Sequence, residues 1–495
     1  MGIRQIAFAV FVTFSTGLLS FGQDVEIEIR ETSKQCDDYL TWAPTSARIR
    51  LKTPQATPQD VVLTNDPGNA AGVPTGGDVW FSEGTLSAGA APPTVDKTEL
   101  SLSLPANGDW VKFLVAGWFG RTSSEDKDTI IIAYAGSATG AEIGRIALMV
   151  RIRKNALDLT DGERDRLLDA IKKLRDNGDY KTYQNIHSVG VGEAHSYRAA
   201  GVLVSGRAFV AWHRCFILDF ERELQEIDPS VSLPYWDFSK PAVHRDTGKR
   251  LFSSRFLGEN PVAPTGNPFS LPPVDVQFHS SNKLAGWTTD LEPPGVPAVP
   301  GAGALLRRRQ FDRGQTPVES TFVSLPSDVD VVLPGTFSLF SGMEGTPHGS
   351  AHVWGGGSLG SVPIAVQDPL FFLLHCNVDR LWAQWQRLGN PADPRYGNGA
   401  AAYEPQNPRT FPSTSPSFHK GHYLEDSMWP WNGEIGSGTV RLDDRPVDAP
   451  GGQFPQVKGL SPGLKPRPLD TFDYQGRLNT AANMGFGYSD DPFKP

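Results

Sequence analysis

The stretch Asp368-Pro369-Leu370-Phe371-Phe372-Leu373-Leu374-His375-Cys376-Asn377-Val378-Asp379-Arg380-Leu381-Trp382 decides how this chain is read. Its apolar run predicts a helix between Pro369 and Leu388. One imidazole, His375, interrupts the run, and Asp379 follows four residues later on the same helical face. An imidazole in apolar surroundings costs free energy unless a hydrogen bond or a metal satisfies it. Upstream, His348 and His352 stand four apart with Gly349-Ser350-Ala351 between them. On a helix that spacing puts both rings one turn apart on one face, where they can share an ion. A second apolar helix is predicted from near Ala208 to Ile227. It carries His213 within Phe209-Val210-Ala211-Trp212-His213-Arg214, and its face continues through Glu221.

Six of the ten histidines therefore fall into two sets, His187, His195 and His213, and His348, His352 and His375. Taken singly, each is explained as well by a core histidine bonded to a carboxylate or carbonyl. A His-x-x-x-His pair with a third ligand also suits zinc. Two three-histidine sets without carboxylate or Cys ligands favour copper, which neutral imidazoles suit and which heads the divalent affinity order. Two such ions about 3.5–4 Å apart clamp a small molecule between them.

The rest of the chain frames these sets. With 495 residues it is long enough for two or three domains. Its 46 Lys and Arg against 55 Asp and Glu leave a formal charge of −9, which argues against a nucleic-acid partner. Only 3 Cys occur, too few for a disulfide scaffold. Residues 1–22 have the basic start, apolar run and small residues of a cleavable export signal, so the chain is expected to be secreted or periplasmic. No later stretch is long enough to span a bilayer. Residues 23–154 read as a β-sandwich-like domain. Candidate strands are Val25–Ile29, Ala47–Lys52, Thr98–Leu104, Trp110–Trp118, Thr129–Tyr134 and Ile146–Ile152, divided by Gly/Pro/Asn/Asp turns. From Leu159 the period becomes helical, with Thr160 as N-cap, Glu163 as the capping-box acid and a helix over Arg164–Arg175. Another helix begins near Tyr180. Residues 241–335 and those beyond 390 read as long loops. Arg307-Arg308-Arg309 is expected on a solvated face, and Cys215 and Cys376 as buried free thiols. His244, His279, His419 and His422 are expected to be loop or structural histidines.

Several motifs then agree with one family. Ser205-Gly206-Arg207-Ala208-Phe209-Val210-Ala211-Trp212-His213-Arg214 resembles the first copper motif of the tyrosinase and polyphenol oxidase family, and Leu233-Pro234-Tyr235-Trp236-Asp237 its following strand-like signature. Gly345-Thr346-Pro347-His348-Gly349-Ser350-Ala351-His352-Val353-Trp354 and the 368–382 stretch resemble the two ends of the second motif. Gly421-His422-Tyr423-Leu424 and Met428-Trp429-Pro430-Trp431 recur in bacterial members. The likeness runs from about residue 159 to the C-terminus.

The resemblance implies a multidomain α+β protein. Its catalytic part, residues 155–495, would be a mainly helical type 3 copper domain, a four-helix bundle with long loops. It implies two copper ions, with O2 as co-substrate, and small phenolic substrates. The ligands carried over are His187, His213, His348, His352 and His375, with His195 as the second ligand of the first copper. That ligand usually stands nine residues before the third, where this chain has Val204; Ala194-His195-Ser196 resembles the ligand segment, displaced by residues around Tyr197 to Val204. Leu374 stands where many members have a second histidine. Glu344, four before His348, matches a Glu that holds a water and could help deprotonate the substrate. The implied activity is oxidation of o-diphenols to o-quinones, with ortho-hydroxylation of monophenols as an option. Gly349 offers no side chain to polarise that water, which favours diphenol over monophenol turnover. Val362 is placed near the pocket mouth. An O2 carrier with the same copper pair, a zinc hydrolase and a catalytically silent binding protein are the competing readings.

Overall fold

The structure is a computed structural model. It describes residues 24–30, 38–70, 73–74, 76–87, 93–194, 196–199, 202–205, 208–240, 242, 246–259, 272–288, 305–307, 326–333, 336–389, 421, 424–425, 428, 430–431, 466–472, 474 and 484–490. The strands come first and the helices after them. β1 (Val25–Ile29), β2 (Tyr39–Leu40), β3 (Thr45–Leu51), β4 (Gln59–Asp66), β5 (Asn69–Ala70), β6 (Val73–Pro74), β7 (Val79–Glu83), β8 (Leu100–Leu104), β9 (Val111–Gly117), β10 (Thr129–Ala135) and β11 (Glu142–Val150) precede the helical part. They form a four-stranded sheet, β1-β3-β9-β7, a five-stranded sheet, β2-β11-β10-β4-β8, and the small β5-β6 pair. All pairings are antiparallel except β2 with β11. One apolar core draws on both larger sheets, with Ile49, Phe81 and Phe113 from the first and Leu63, Ile131 and Leu148 from the second.

Alternation predicted β1 and β3 because their two faces differ. Val25 and Ile29 face the core, while Glu26 and Glu28 pair across the strands with Arg50 and Arg48. The sequence reading passed over β4 and β7. In β4 the run Val61-Val62-Leu63 is buried on both faces, so no alternation marks it.

α1 (Asp161–Asp176) begins with the expected capping box, Thr160 with Glu163. α2 (Asp179–Ala194) follows, then the β12 (Ser196–Ala199) and β13 (Val202–Ser205) hairpin, and α3 (Phe209–Ile227). α3 packs against α1, α2 and α7 (Leu370–Gly389), the last of these lying beyond the loop-rich stretch. Between them stand β14 (Val274–Asp275), β15 (Leu306–Arg307), α4 (Asp328–Val332), α5 (Phe337–Phe340) and α6 (Ser350–Gly355); α8 (Pro468–Thr471) closes the set. Leu233–Asp237 forms no strand; Tyr235 makes one isolated bridge to Asn155. No described helix is long and apolar enough to cross a membrane.

Two buried charge clusters join these parts. At the first, Arg153 at the end of the β part meets Glu221 of α3 and Asp379 of α7, and Tyr488 donates to Asp379 at 2.6 Å. The second corrects the reading of Arg307 as solvated. Arg307 is buried, and its Nε and Nη2 donate to both carboxylate oxygens of Asp368, each at 2.7 Å. Asp368 also accepts from the Leu370 amide at 2.9 Å, which caps the start of α7. The triplet looked exposed because charge runs usually are. Here β15 passes so close to Gly357 (φ 56°) that a Cβ there would lie 1.8 Å from the Leu306 carbonyl oxygen. Arg308 and Arg309 lie outside the described residues.

Arg307→Ala should lower unfolding stability by about 3–5 kcal/mol, because it strands the buried Asp368 carboxylate. In denaturant titrations, Arg307→Leu combined with Asp368→Asn should cost less than the two single losses added together.

Candidate metal centre

Each histidine is presented by an element whose packing sets its ring. α7 carries His375, fully buried, one turn after Phe371, whose ring stacks on it at 4.1 Å between centroids. α3 carries His213, and its ring stacks on that of His375 at 4.2 Å and 14°. α2 carries His187, with ring centroids 5.8 Å from His213 and 6.5 Å from His375. The backbone kinks at Thr346 (φ −140°, ψ 120°), just before His348. A 3-10 turn, Ser341–Glu344, leads into that kink, His348 follows it, and α6 then holds His352. Their rings lie 4.6 Å apart.

The backbone chooses the tautomers. His213 Nδ1 is 2.8 Å from the Phe209 carbonyl, His348 Nδ1 is 2.7 Å from that of Glu344, and His352 Nδ1 is 2.7 Å from that of Leu359. A carbonyl only accepts, so each Nδ1 carries the proton and donates, and each Nε2 keeps its lone pair. The His348 and His352 Nε2 atoms then point at His375 Nε2 from 3.3 and 3.2 Å. His375 brings one proton to two lone pairs, and its Nδ1 has no hydrogen-bond partner among the described residues. Burial pushes the His352 imidazole down to about 4. Burial, followed by the neighbouring imidazoles, pushes His375 well below its ordinary value. A cation relieves this convergence of lone pairs. Nitrogen ligands about 2.0–2.1 Å from an ion in tetrahedral geometry stand roughly 3.3–3.4 Å apart, close to the separations seen. The residues therefore fit a metal, and neutral nitrogen ligands suit copper.

Of the predicted site residues, the structure brings His187, His213, His348, His352 and His375 together. His195 lies outside the described residues, as do His244, His419 and His422. Glu344 lines the same cavity of about 570 Å³ with His187, His348, His352 and His375. Gly349 and Val362 also line it. Leu374 is fully buried. Asp379 is turned to Arg153 and Arg214 rather than to the site. Cys215 and Cys376 are buried free thiols, as expected; Cys376 Sγ donates to the Leu233 carbonyl at 3.3 Å, and burial pushes both thiols up. His279 is a loop residue bonded to Ser281. Two residues escaped the sequence reading. Phe371 stands four before His375, and Phe209 four before His213 with its ring also 4.7 Å from His348. The same i, i+4 rule that paired the histidines would have found both.

The family model for the common central domain of tyrosinase matches residues 177–388. The tyrosinase of Streptomyces antibioticus is 30% identical over 262 residues, spanning 50% of this chain and 87% of that protein. A G-type hemocyanin of Enteroctopus dofleini is 28% identical over 48% of this chain and 7% of its own length. Among solved structures, a polyphenol oxidase mutant from Thermothelomyces thermophila matches 68% of this chain and 88% of that one, at 20% identity and a TM-score of 0.40. A pocket of converging imidazoles on a helical core defines a histidine-ligated metalloprotein. The chain belongs to the tyrosinase family.

Because the His352 value is lowered in the fold, the unfolded chain takes up its proton first as pH falls. The metal-free protein should therefore lose stability between pH 6.5 and about 4, by on the order of 3 kcal/mol from this residue alone. Chemical denaturation across that range should show the loss, and His352→Gln should reduce it.

Proposed function

We propose that this chain is a binuclear copper oxidase that uses O2 to convert o-diphenols to o-quinones. His187, His195 and His213 hold one ion in this reading, and His348, His352 and His375 the other. The observation that carries it is the convergence of five histidine rings, four of them lining one cavity, with three Nε2 atoms drawn together and two of their Nδ1 protons committed to carbonyls. Membership of the tyrosinase family supports the choice of metal and of phenolic substrates. When bound, the copper pair supplies the redox chemistry, in which two diphenols give up four electrons and four protons and one O2 becomes two waters.

The chain's own residues supply the setting. The carbonyls of Phe209, Glu344 and Leu359 hold the imidazoles in one tautomer and one orientation. Phe371 and Phe209 pack against the rings and exclude water from the inner side. Glu344, at the cavity wall, is the group placed to take the proton of a docking phenol. We read the histidine-bearing helices α2, α3, α6 and α7 as a four-helix bundle. Residues 155–495 are then the catalytic domain and 23–154 a β-sandwich-like domain. Residues 1–22 are read as a leader removed on export, giving a secreted or periplasmic protein.

An O2 carrier uses the same histidines, and a hemocyanin is among the relatives. The open cavity beside His348 and His352, with Val362 at 46% exposure on its wall, favours turnover over storage, since a phenol can reach the site. Elemental analysis should find two coppers per chain, and the loaded protein should turn over catechol. His352→Gln should retain one copper and lose more than about 100-fold in kcat, beyond the range typical of outer-shell changes. Copper binding without catechol turnover would favour the carrier instead. Gly349 leads us to expect faster diphenol than monophenol oxidation. Oxidation of tyrosine as fast as 4-methylcatechol, without a lag, would contradict that expectation.

A further inference from the structure

We propose that the cavity selects phenols whose ring substituent is apolar, an alkyl chain rather than a carboxylate, and that Val353 and Val362 are the specificity-determining residues. The inference rests on the oxidase reading of the same site and names its substrate class. The large hydrophobic side chains that stand exposed among the described residues all fall between positions 329 and 362. Two of them line the cavity, Val353 at 48% and Val362 at 46% exposure. Apolar side chains left half bare beside a concave site mark a surface meant to be covered.

The rest of the wall leaves room for the covering group. Gly342 and Gly345 line it, and a Cβ at either would meet nothing within 4 Å. A cavity of about 570 Å³ holds a phenol ring together with a chain of several carbons. A carboxylate substituent would meet one acid, Glu344, and no Lys or Arg among the described lining residues. It would therefore lose hydration without gaining a partner.

The two valines are also held in place. They stand at the ends of one loop, closed by Gly356 N to His352 O at 3.0 Å and Gly360 N to Gly356 O at 3.1 Å. The same loop supplies the Leu359 carbonyl that orients His352. The apolar rim is thus tied to the histidine it flanks, and a chain lying on it is set in register with the metal-binding end.

The test is a homologous series on the copper-loaded full chain, with catechol, 4-methyl-, 4-ethyl- and 4-butylcatechol, and the anion 3,4-dihydroxyphenylacetate. We expect kcat/KM to rise about fourfold per added methylene, the value of burying one such group. The anion should fall at least about tenfold below 4-ethylcatechol. Val353→Ser and Val362→Ser should each flatten the series, read as the butyl-to-methyl ratio within one variant. A flat series, an anion oxidised as well as the alkyl compounds, or valine variants with an unchanged slope would overturn the proposal. If copper-loaded protein oxidises no catechol at all, the oxidase reading fails instead. Calorimetry without O2, comparing 4-ethylphenol with 4-hydroxyphenylacetate, then still reads the rim. Tighter binding of the ethyl compound supports the proposal, and equal or reversed affinity overturns it.

Discussion

The ion pair between Arg214 and Asp379 is the contact on which the site depends. Arg214 follows His213 on α3, and Asp379 stands one turn beyond His375 on α7; both are buried. Two helices packed only through apolar side chains can slide or rotate with little penalty. A buried charge pair resists both, because each charge left without its partner costs several kcal/mol. The pair is extended on every side. Arg153 reaches Asp379 and Glu221, Tyr488 donates to Asp379, and Arg214 also donates to the Gln386 side chain at 3.0 Å and the Thr471 carbonyl at 2.8 Å. Strand part, both helices and the C-terminal segment thus close on one polar knot. The stacked His213 and His375 rings lie on the adjoining turns, so the knot sets their separation.

A second constraint acts at the rings themselves. Imidazole has two nitrogens, and a metal needs a defined one of them free. Three different carbonyls take that decision away from solvent, each in an irregular or terminal part of the fold. Phe209 opens α3, Glu344 ends a 3-10 turn, and Leu359 lies in a 3-10 turn. The ladder leaves carbonyls over in the last turn of a short helix, where Glu344 and Leu359 lie, and the Phe209 carbonyl has a second lone pair to share. The irregular segment from Ser341 to Gly360 is therefore part of how His348 and His352 are aimed.

Much of this was legible in the chain. The helix over Leu370–Gly389 and the start of α1 followed from apolar period and a capping box, both local signals. The His348 and His352 pairing followed from spacing alone, since the kink at Thr346 stands before both. Leu233–Asp237, in contrast, was read as strand-like and is not one, because its backbone bonds go to Lys154, Leu373 and a single bridge rather than to a ladder. Arg307 was misread because burial of a charge depends on a partner distant in sequence, Asp368, and on the close approach at Gly357.

The sequence by itself determined the two histidine sets that the proposed chemistry uses. The histidine sets and the apolar runs around them are properties of spacing and composition, and neither needs a third dimension. Only the tertiary structure decided which of those residues meet, which nitrogen each presents, and what surrounds the cavity. Those outcomes come from contacts between segments far apart along the chain. The Arg153, Arg214, Glu221 and Asp379 cluster and the Arg307–Asp368 pair are both of that kind, and no local pattern encodes them. Charge pairing in a buried, low-dielectric interior is strong only once folding has brought the partners together, which is why the chain could offer candidate ligands and not their geometry.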